Sequence, residues 1–370
     1  MKLILKLLLG LISLTCLLLV IGVIGGWLYS VPMSTETKDR IAASKQFIDG
    51  GFVNPEPQAE TEITMERLAE AMASHPRTNP EDTIPVSPIS AEHFKSPAQP
   101  GLRLSWIGHA SVLVEIDGVR VLTDPVFSER VSPFTFLGPR RFHPVPVALE
   151  NLQNIDAVVI SHNHYDHLDK ATIQHLAAQN TRFFIPLGNR DLLLKWGVKP
   201  QSVVDMDWWD EQTIGPVRFV ATPARHYSNR GTFDFKKTIW LSWSLIGPKN
   251  RVFFSGDSGY SKTFAEIGQK LGPFDATLIK IGAYGPGQAW KDVHMFPDDS
   301  IKTHQDLRGK HLLPVHWGTF NLAYHPWDEP IIRTVQHAQS ANVSLLTPKP
   351  GEFVDLANPP AITPWWEGLN

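Results

Sequence analysis

Ser161-His-Asn-His-Tyr-Asp-His-Leu-Asp169 packs three imidazoles and two carboxylates into nine residues, directly after the apolar run Ile155-Asp-Ala-Val-Val-Ile160. A buried strand that opens into such a loop is hard to explain unless the loop holds metal. Alternate residues of an extended segment point the same way, so His162, His164 and Asp166 converge on one side. His167 follows at the turn into the next helical pattern. Imidazoles with a carboxylate and no thiolate suit zinc, iron or manganese.

Later strand ends supply more donors of the same kind. Val220-Ala-Thr-Pro-Ala-Arg-His226 places a histidine just past a strand, Val252-Phe-Phe-Ser-Gly-Asp257 ends on an aspartate, and Leu312-Leu-Pro-Val-His316 ends on a histidine. Ligands at strand ends are held rigidly. Seven side chains are more than one ion needs.

The rest of the chain reads as layered α/β structure. Short apolar strands are expected at 102–106, 111–116, 120–123, 157–160 and 182–185, then at 217–222, 238–246, 251–255, 276–281 and 312–315. Helical patterns fall at 170–178, 190–196, 261–271, 298–307 and 330–341. Strands on both sides of residue 200 with helices between them predict two packed sheets with helices outside. No internal repeat is evident.

The 370 residues, 42% hydrophobic, are ample for one large enzyme-sized domain. The expected division is an anchor or uncleaved signal at 1–30, a proline-rich tether and N-terminal extension at 31–100 with a short helical pattern at 63–72, and the main α/β domain at 101–370. A net charge of −3 gives no electrostatic case for a nucleic-acid partner. Leu7 to Tyr29 is an uncharged run of 23 residues, long enough to cross a hydrocarbon core of ~30 Å. It is preceded by Lys2 and Lys6 and ends near Trp27 and Tyr29, which predicts a single-pass N-terminal transmembrane helix with the domain exported to the periplasmic or extracellular face. Lys38, Arg40 and Lys45 soon after it weaken that orientation. The lone cysteine, Cys16, lies inside this run, so no intramolecular disulfide forms and cysteine usage leaves the redox compartment open. Several of the twelve tryptophans, among them Trp208, Trp209, Trp290, Trp365 and Trp366, are candidates for a lipid-facing surface, although packing is the commoner use.

The ordered set HxHxDH, His, Asp, His resembles the metallo-β-lactamase superfamily. Ser105-Trp-Ile-Gly-His-Ala110, Leu122-Thr-Asp-Pro125, Gly138-Pro-Arg-Arg-Phe142, Asp207-Trp-Trp209, Gly256-Asp-Ser-Gly-Tyr260, Ile281-Gly-Ala-Tyr284 and His316-Trp-Gly-Thr-Phe320 resemble one branch of it, the N-acyl-phosphatidylethanolamine-hydrolysing phospholipase D group and its bacterial relatives. The resemblance runs from about Leu104 to Gly351. It implies an αββα sandwich with two zinc ions, iron or manganese being the alternatives. His162, His164 and His226 would hold one ion, Asp166, His167 and His316 the other, and Asp257 would bridge them. His294 would contact substrate and act as a proton or hydrogen-bond donor, and Tyr165 would contact substrate. Without the resemblance a lone loop histidine such as His294 reads as a solvated surface residue. Asp166, Asp257 and His294 are thus the expected catalytic residues, with Asp124 and His109 behind the ligands, either orienting imidazoles or making structural hydrogen bonds.

The implied reaction is phosphodiester cleavage of phospholipase D type on an N-acylated or related phospholipid, at a membrane, with a homodimer as a candidate assembly. A lactonase or esterase on the same fold and a non-catalytic metal-binding protein are the alternatives, since fold alone does not fix substrate. Gly285-Pro-Gly-Gln-Ala-Trp290 departs from the Glu-Pro-Arg-Trp that relatives commonly carry. A different head group or leaving group is the expected consequence.

Overall fold

The computed structural model describes Ser13 and residues 32–59, 76–285 and 287–370. Helix α1 (Thr35–Ala43) and the short hairpin of β1 (Phe47–Ile48) and β2 (Gly51–Phe52) precede two sheets of seven strands each. The first sheet runs β16-β3-β4-β5-β6-β7-β8 and is built from β3 (Leu102–Gly108), β4 (Ser111–Ile116), β5 (Val119–Thr123), β6 (Ala157–Val159), β7 (Arg182–Pro186), β8 (Val203–Met206) and β16 (Phe353–Asp355). The second runs β15-β14-β13-β12-β11-β10-β9, with β9 (Glu211–Ile214), β10 (Val217–Pro223), β11 (Leu241–Ile246), β12 (Arg251–Phe254), β13 (Phe274–Lys280), β14 (Gly309–Val315) and β15 (Ser344–Leu345).

Both sheets follow one plan. Strands β3 to β5 pair antiparallel and β5 to β8 parallel; β10 to β12 pair antiparallel and β12 to β15 parallel. The repeat absent from the sequence is therefore present in the topology. Helices α2 (Lys170–Ala177) and α3 (Arg190–Lys195) cover the first sheet, while α4 (Thr263–Leu271), α6 (Pro297–Asp306) and α7 (Glu329–Ala341) cover the second. The short α5 (Gln288–Lys291) lies in the loop after β13.

Alternation along the strands explains the layers. In β4, Val112 and Val114 face the core between the sheets and Leu113 faces the α2 side; in β12, Val252 and Phe254 face inward and Phe253 meets Phe264 of α4. Sheets buried on both faces read as continuous apolar runs, which is why these strands were legible. The expected strand at 238–246 begins only at Leu241. Upstream, the Ile239 and Leu241 amides donate to Leu187 and Ser161 carbonyls of the other sheet's loops, and so tie the sheets together instead of extending the ladder.

Residues before the first sheet pack on the domain. Ser34 caps α1, accepting from the Thr37 amide at 3.2 Å, and its own amide donates to Asp191 Oδ2 at 2.8 Å. Arg40 donates to the Asp205 carbonyl at 2.9 Å. Burial pushes the Asp205 carboxyl up to about 6 against the pull of Arg40. A carboxyl raised in the folded state favours folding while protonated, so stability should fall as pH rises from about 4 through about 6, by on the order of 3 kcal/mol. Asp205→Asn should flatten that part of a urea-midpoint profile. An unchanged slope would exclude Asp205 as its source.

The expected span Leu7–Tyr29, save Ser13, and the helical pattern at 63–72 lie outside the described residues. Among the described residues no helix is long and apolar enough to cross a membrane. Trp106, Trp317 and Trp365 stack in the core, with Trp106 and Trp317 centroids 5.3 Å apart.

Candidate metal centre

The C-terminal ends of strands from both sheets meet at one edge. The loop after β6 carries His162, His164, Asp166 and His167; His226 follows β10, Asp257 follows β12 and His316 follows β14. The structure brings all seven together. His164 Nδ1 lies 2.8 Å from His162 Nε2 and 3.4 Å from His226 Nε2. Asp166 Oδ2 lies 3.3 Å from His167 Nε2 and 3.5 Å from His316 Nε2. Asp257 sits between the two groups, with Oδ2 3.8 Å from His226 Nε2 and 3.5 Å from His167 Nε2, and Oδ1 3.0 Å from His316 Nε2.

These residues can hold metal. The buried atoms His167 Nε2, His316 Nε2 and Asp257 Oδ1 lack a hydrogen-bond partner, and such atoms are rare unless something else satisfies them. Convergent imidazole lone pairs call for a cation between them. Burial holds His162 and His226 well below the usual imidazole value and His164 at about 4, the neutral form that a ligand needs. For Asp166 and Asp257 burial opposes the charge, but His167 and His316 respectively lead the groups that outweigh it and keep them ionised. Burial also opposes charge on His167, yet Asp166, Asp257 and Asp124 hold its pKa well above the usual value. Positive charge is favoured at that point.

The groups behind the ligands fix which nitrogen faces inward. His226 Nδ1 donates to the Val293 carbonyl at 3.0 Å, and His162 Nδ1 meets Ser161 Oγ at 2.9 Å. Asp124 Oδ2 lies 2.6 Å from His167 Nδ1 and accepts from Ser161 Oγ at 2.5 Å, while Oδ1 accepts from the Ser161 amide at 2.6 Å. Asp124 thus orients an imidazole as expected. His109 does not: its Nε2 lies 2.9 Å from Asp166 Oδ2, and its ring packs 3.9 Å from that of His316. It orients a carboxylate. His109, Asp124 and His316 all adopt left-handed backbone, at φ 53°, 32° and 65°, a conformation unfavourable for these residues and characteristic of functional sites. Gly256, at φ 54°, admits no side chain, because a Cβ would lie 2.3 Å from Ser161 Cβ.

Asp124→Asn should weaken metal affinity by about 10–100-fold, since one carboxylate oxygen becomes an NH2 donor and the protons of His167, the Ser161 hydroxyl and the Ser161 amide can no longer all be accepted. Chelator competition measures this directly. Unchanged affinity would reduce Asp124 to a purely structural role.

His294 joins the centre. Its Nδ1 lies 3.7 Å from Asp257 Oδ2 and its ring packs edge-on to His226 at 5.1 Å; burial leads the causes that lower its pKa. Tyr165 lines a neighbouring groove of about 690 Å³ with Trp196 and Arg230, whose guanidinium lies 4.0 Å from the Tyr165 ring centroid. The departing segment places Trp290 against Gly285, where a Cβ would lie 2.6 Å from the indole, and its centroid is 6.2 Å from that of His294. Sequence reasoning missed Lys280, at the end of β13. It is fully buried, 2.7 Å from His294 Nδ1 and 4.0 Å from Asp257 Oδ1, and burial lowers it to about 8 against the pull of Asp257. Its one signal is a lysine closing an apolar strand.

A family described as the beta-lactamase superfamily domain matches residues 119–317, more than half of the chain. The metallo hydrolase Igni18 of Ignicoccus hospitalis shares the fold, with a TM-score of 0.52 at 21% identity over 68% of this chain and 97% of that one. An uncharacterized protein of Mycobacterium tuberculosis is 43% identical over 331 residues, 87% of each chain. N-acyl-phosphatidylethanolamine-hydrolyzing phospholipase D 1 of Caenorhabditis elegans is 36% identical over 250 residues, covering 65% of this chain and 70% of the nematode protein. By the family match and this shared length, the chain belongs to the metallo-β-lactamase superfamily of metal-dependent hydrolases, in the branch of the N-acyl-phosphatidylethanolamine-hydrolysing phospholipase D proteins.

Proposed function

We propose that the protein is a dinuclear zinc phosphodiesterase of phospholipase D type, acting on N-acyl phosphatidylethanolamine or a related phospholipid. The position of Asp257 carries the reading, because its two oxygens face both donor groups at once. His162, His164 and His226 would hold one ion and Asp166, His167 and His316 the other, with Asp257 shared. An all-nitrogen-and-oxygen donor set favours zinc, with iron or manganese as the alternatives. Two such ions, when bound, supply a nucleophile at neutral pH and neutralise charge on phosphoryl oxygens.

The chain's own residues do the remaining work. His294 donates a hydrogen bond to the phosphoryl or leaving oxygen as charge develops there. Tyr165 and Arg230 line the groove beside the centre, where a cation and an aromatic face suit a phosphate and its substituent. Water supplies the hydroxyl, the bond from phosphorus to the ethanolamine oxygen breaks, and an N-acylethanolamine leaves with phosphatidic acid behind.

The name of the nematode relative supports this substrate class. So do the exposed Phe134, Phe136 and Leu137 on one loop and Phe233 and Phe235 on another. Phe134 and Arg230 line the same groove, so both loops flank the metal loop, and exposed apolar groups so grouped suit a lipid surface. The run Leu7–Tyr29 would hold the domain at that membrane, on its periplasmic or extracellular side. The segment at Gly285–Trp290 favours one second reading, the same reaction on a different head group.

Full-length protein incubated with N-acyl phosphatidylethanolamine should yield N-acylethanolamine and phosphatidic acid in equal amounts by mass spectrometry. Release of free fatty acid, or turnover of a lactone alone, would exclude the phospholipase D reading and leave an esterase or lactonase.

A further inference from the structure

Lys280 closes β13 with its side chain fully buried, and an ammonium removed from water is costly unless its protons find partners. Nζ donates to the Gly282 carbonyl at 2.6 Å and lies 2.7 Å from His294 Nδ1, with Asp257 Oδ1 at 4.0 Å. Its backbone is fixed from two sides. The Lys280 amide donates to Ser255 Oγ at 3.0 Å, and the Lys280 carbonyl accepts from Ser300 Oγ of α6 at 2.7 Å. His294 is equally constrained, since its amide donates to the Trp290 carbonyl at 2.9 Å and the next amide, of Met295, donates to Ser258 at 2.9 Å.

An ammonium has three donors and no acceptor. The ring nitrogen facing it must therefore accept, which leaves the imidazole proton on Nε2. We infer that Lys280 is a positioning residue that holds His294 as the Nε2–H tautomer, so that this proton serves the phosphoryl or leaving oxygen of the substrate. The inference rests on the hydrolytic reading of the centre. A lysine that merely offset the charge of Asp257 would leave the His294 tautomer unselected.

The test is nuclear magnetic resonance of full-length protein labelled with ¹⁵N-histidine, the His294 signals being assigned by their loss in His294→Gln. Wild-type His294 should carry its proton on Nε2, and Lys280→Met should shift it toward Nδ1. On a phosphodiester, Lys280→Met should lower kcat by about 10–100-fold while KM changes less than about 3-fold. Metal content should stay as in the wild type. Added to His294→Gln, Lys280→Met should lower kcat by less than about 2-fold further, because the lysine acts through the ring. Lys280→Gln, which donates without charge, should restore the Nε2–H tautomer and part of kcat. Wild-type His294 protonated on Nδ1, or losses that multiply fully in the double variant, would overturn the inference. The wild-type tautomer needs no folded Lys280 variant, and it is read without turnover, so it separates failure here from failure of the phosphodiesterase reading.

Discussion

Asp257→Asn should abolish hydrolysis, lowering kcat/KM by on the order of a thousandfold or more, about 4 kcal/mol of transition-state stabilisation. The carboxylate faces both donor clusters, with Oδ1 3.0 Å from His316 Nε2 and Oδ2 between His167 and His226. An amide nitrogen offers no lone pair to a metal, and the change removes one negative charge from a site whose seven donor residues include five imidazoles. It also strips the carboxylate 4.0 Å from the buried Lys280 ammonium, and an uncompensated buried charge is strongly destabilising. Metal content should fall below about two equivalents per chain, because each donor group keeps three ligands but loses the shared one. Elemental analysis with turnover on the same sample reads both effects. Wild-type turnover, or two equivalents bound with full affinity, would rule out a bridging role for Asp257.

That centre was legible because its donors announce themselves. An aspartate or histidine set just past an apolar run, at Asp257, His226 and His316, has few other uses, and HxHxDH has fewer. Lys280 escaped because Leu278-Ile-Lys280-Ile281 reads as a strand with a solvated cation near its end. Only the tertiary placement of His294 against it shows otherwise. For His109, the choice between orienting an imidazole and bonding a carboxylate depends on loop geometry that spacing does not encode. Strand β9 went unread because Glu211-Gln-Thr-Ile214 lies at a sheet edge, mostly exposed, with no apolar alternation to mark it. The shared plan of the two sheets escaped for a related reason. Any apolar residue satisfies a strand buried on both faces, so equivalent strands need not resemble one another.

The tie between fold and centre predicts the second large effect, on stability. Trp243 lies in β11 with no exposed surface, faces the core between the sheets, and donates from Nε1 to the Ile160 carbonyl at 2.9 Å. Ile160 belongs to the other sheet's side of the core and immediately precedes Ser161 and His162, so one indole spans the layers and holds the start of the metal loop. Trp243→Ala should cost about 3–5 kcal/mol through the cavity left behind, a large share of the 5–15 kcal/mol that a domain typically has. Trp243→Phe keeps most of the volume and loses only the hydrogen bond, leaving the Ile160 carbonyl unpaired at a cost of about 1–3 kcal/mol. Urea midpoints of the two variants would separate packing from hydrogen bonding. Metal affinity should follow a different order, falling in both variants, because both release the carbonyl that anchors the loop. A loss below about 1 kcal/mol in Trp243→Ala would mean that the site collapses around the missing ring, and cohesion of the two sheets would then have to come from elsewhere in the core.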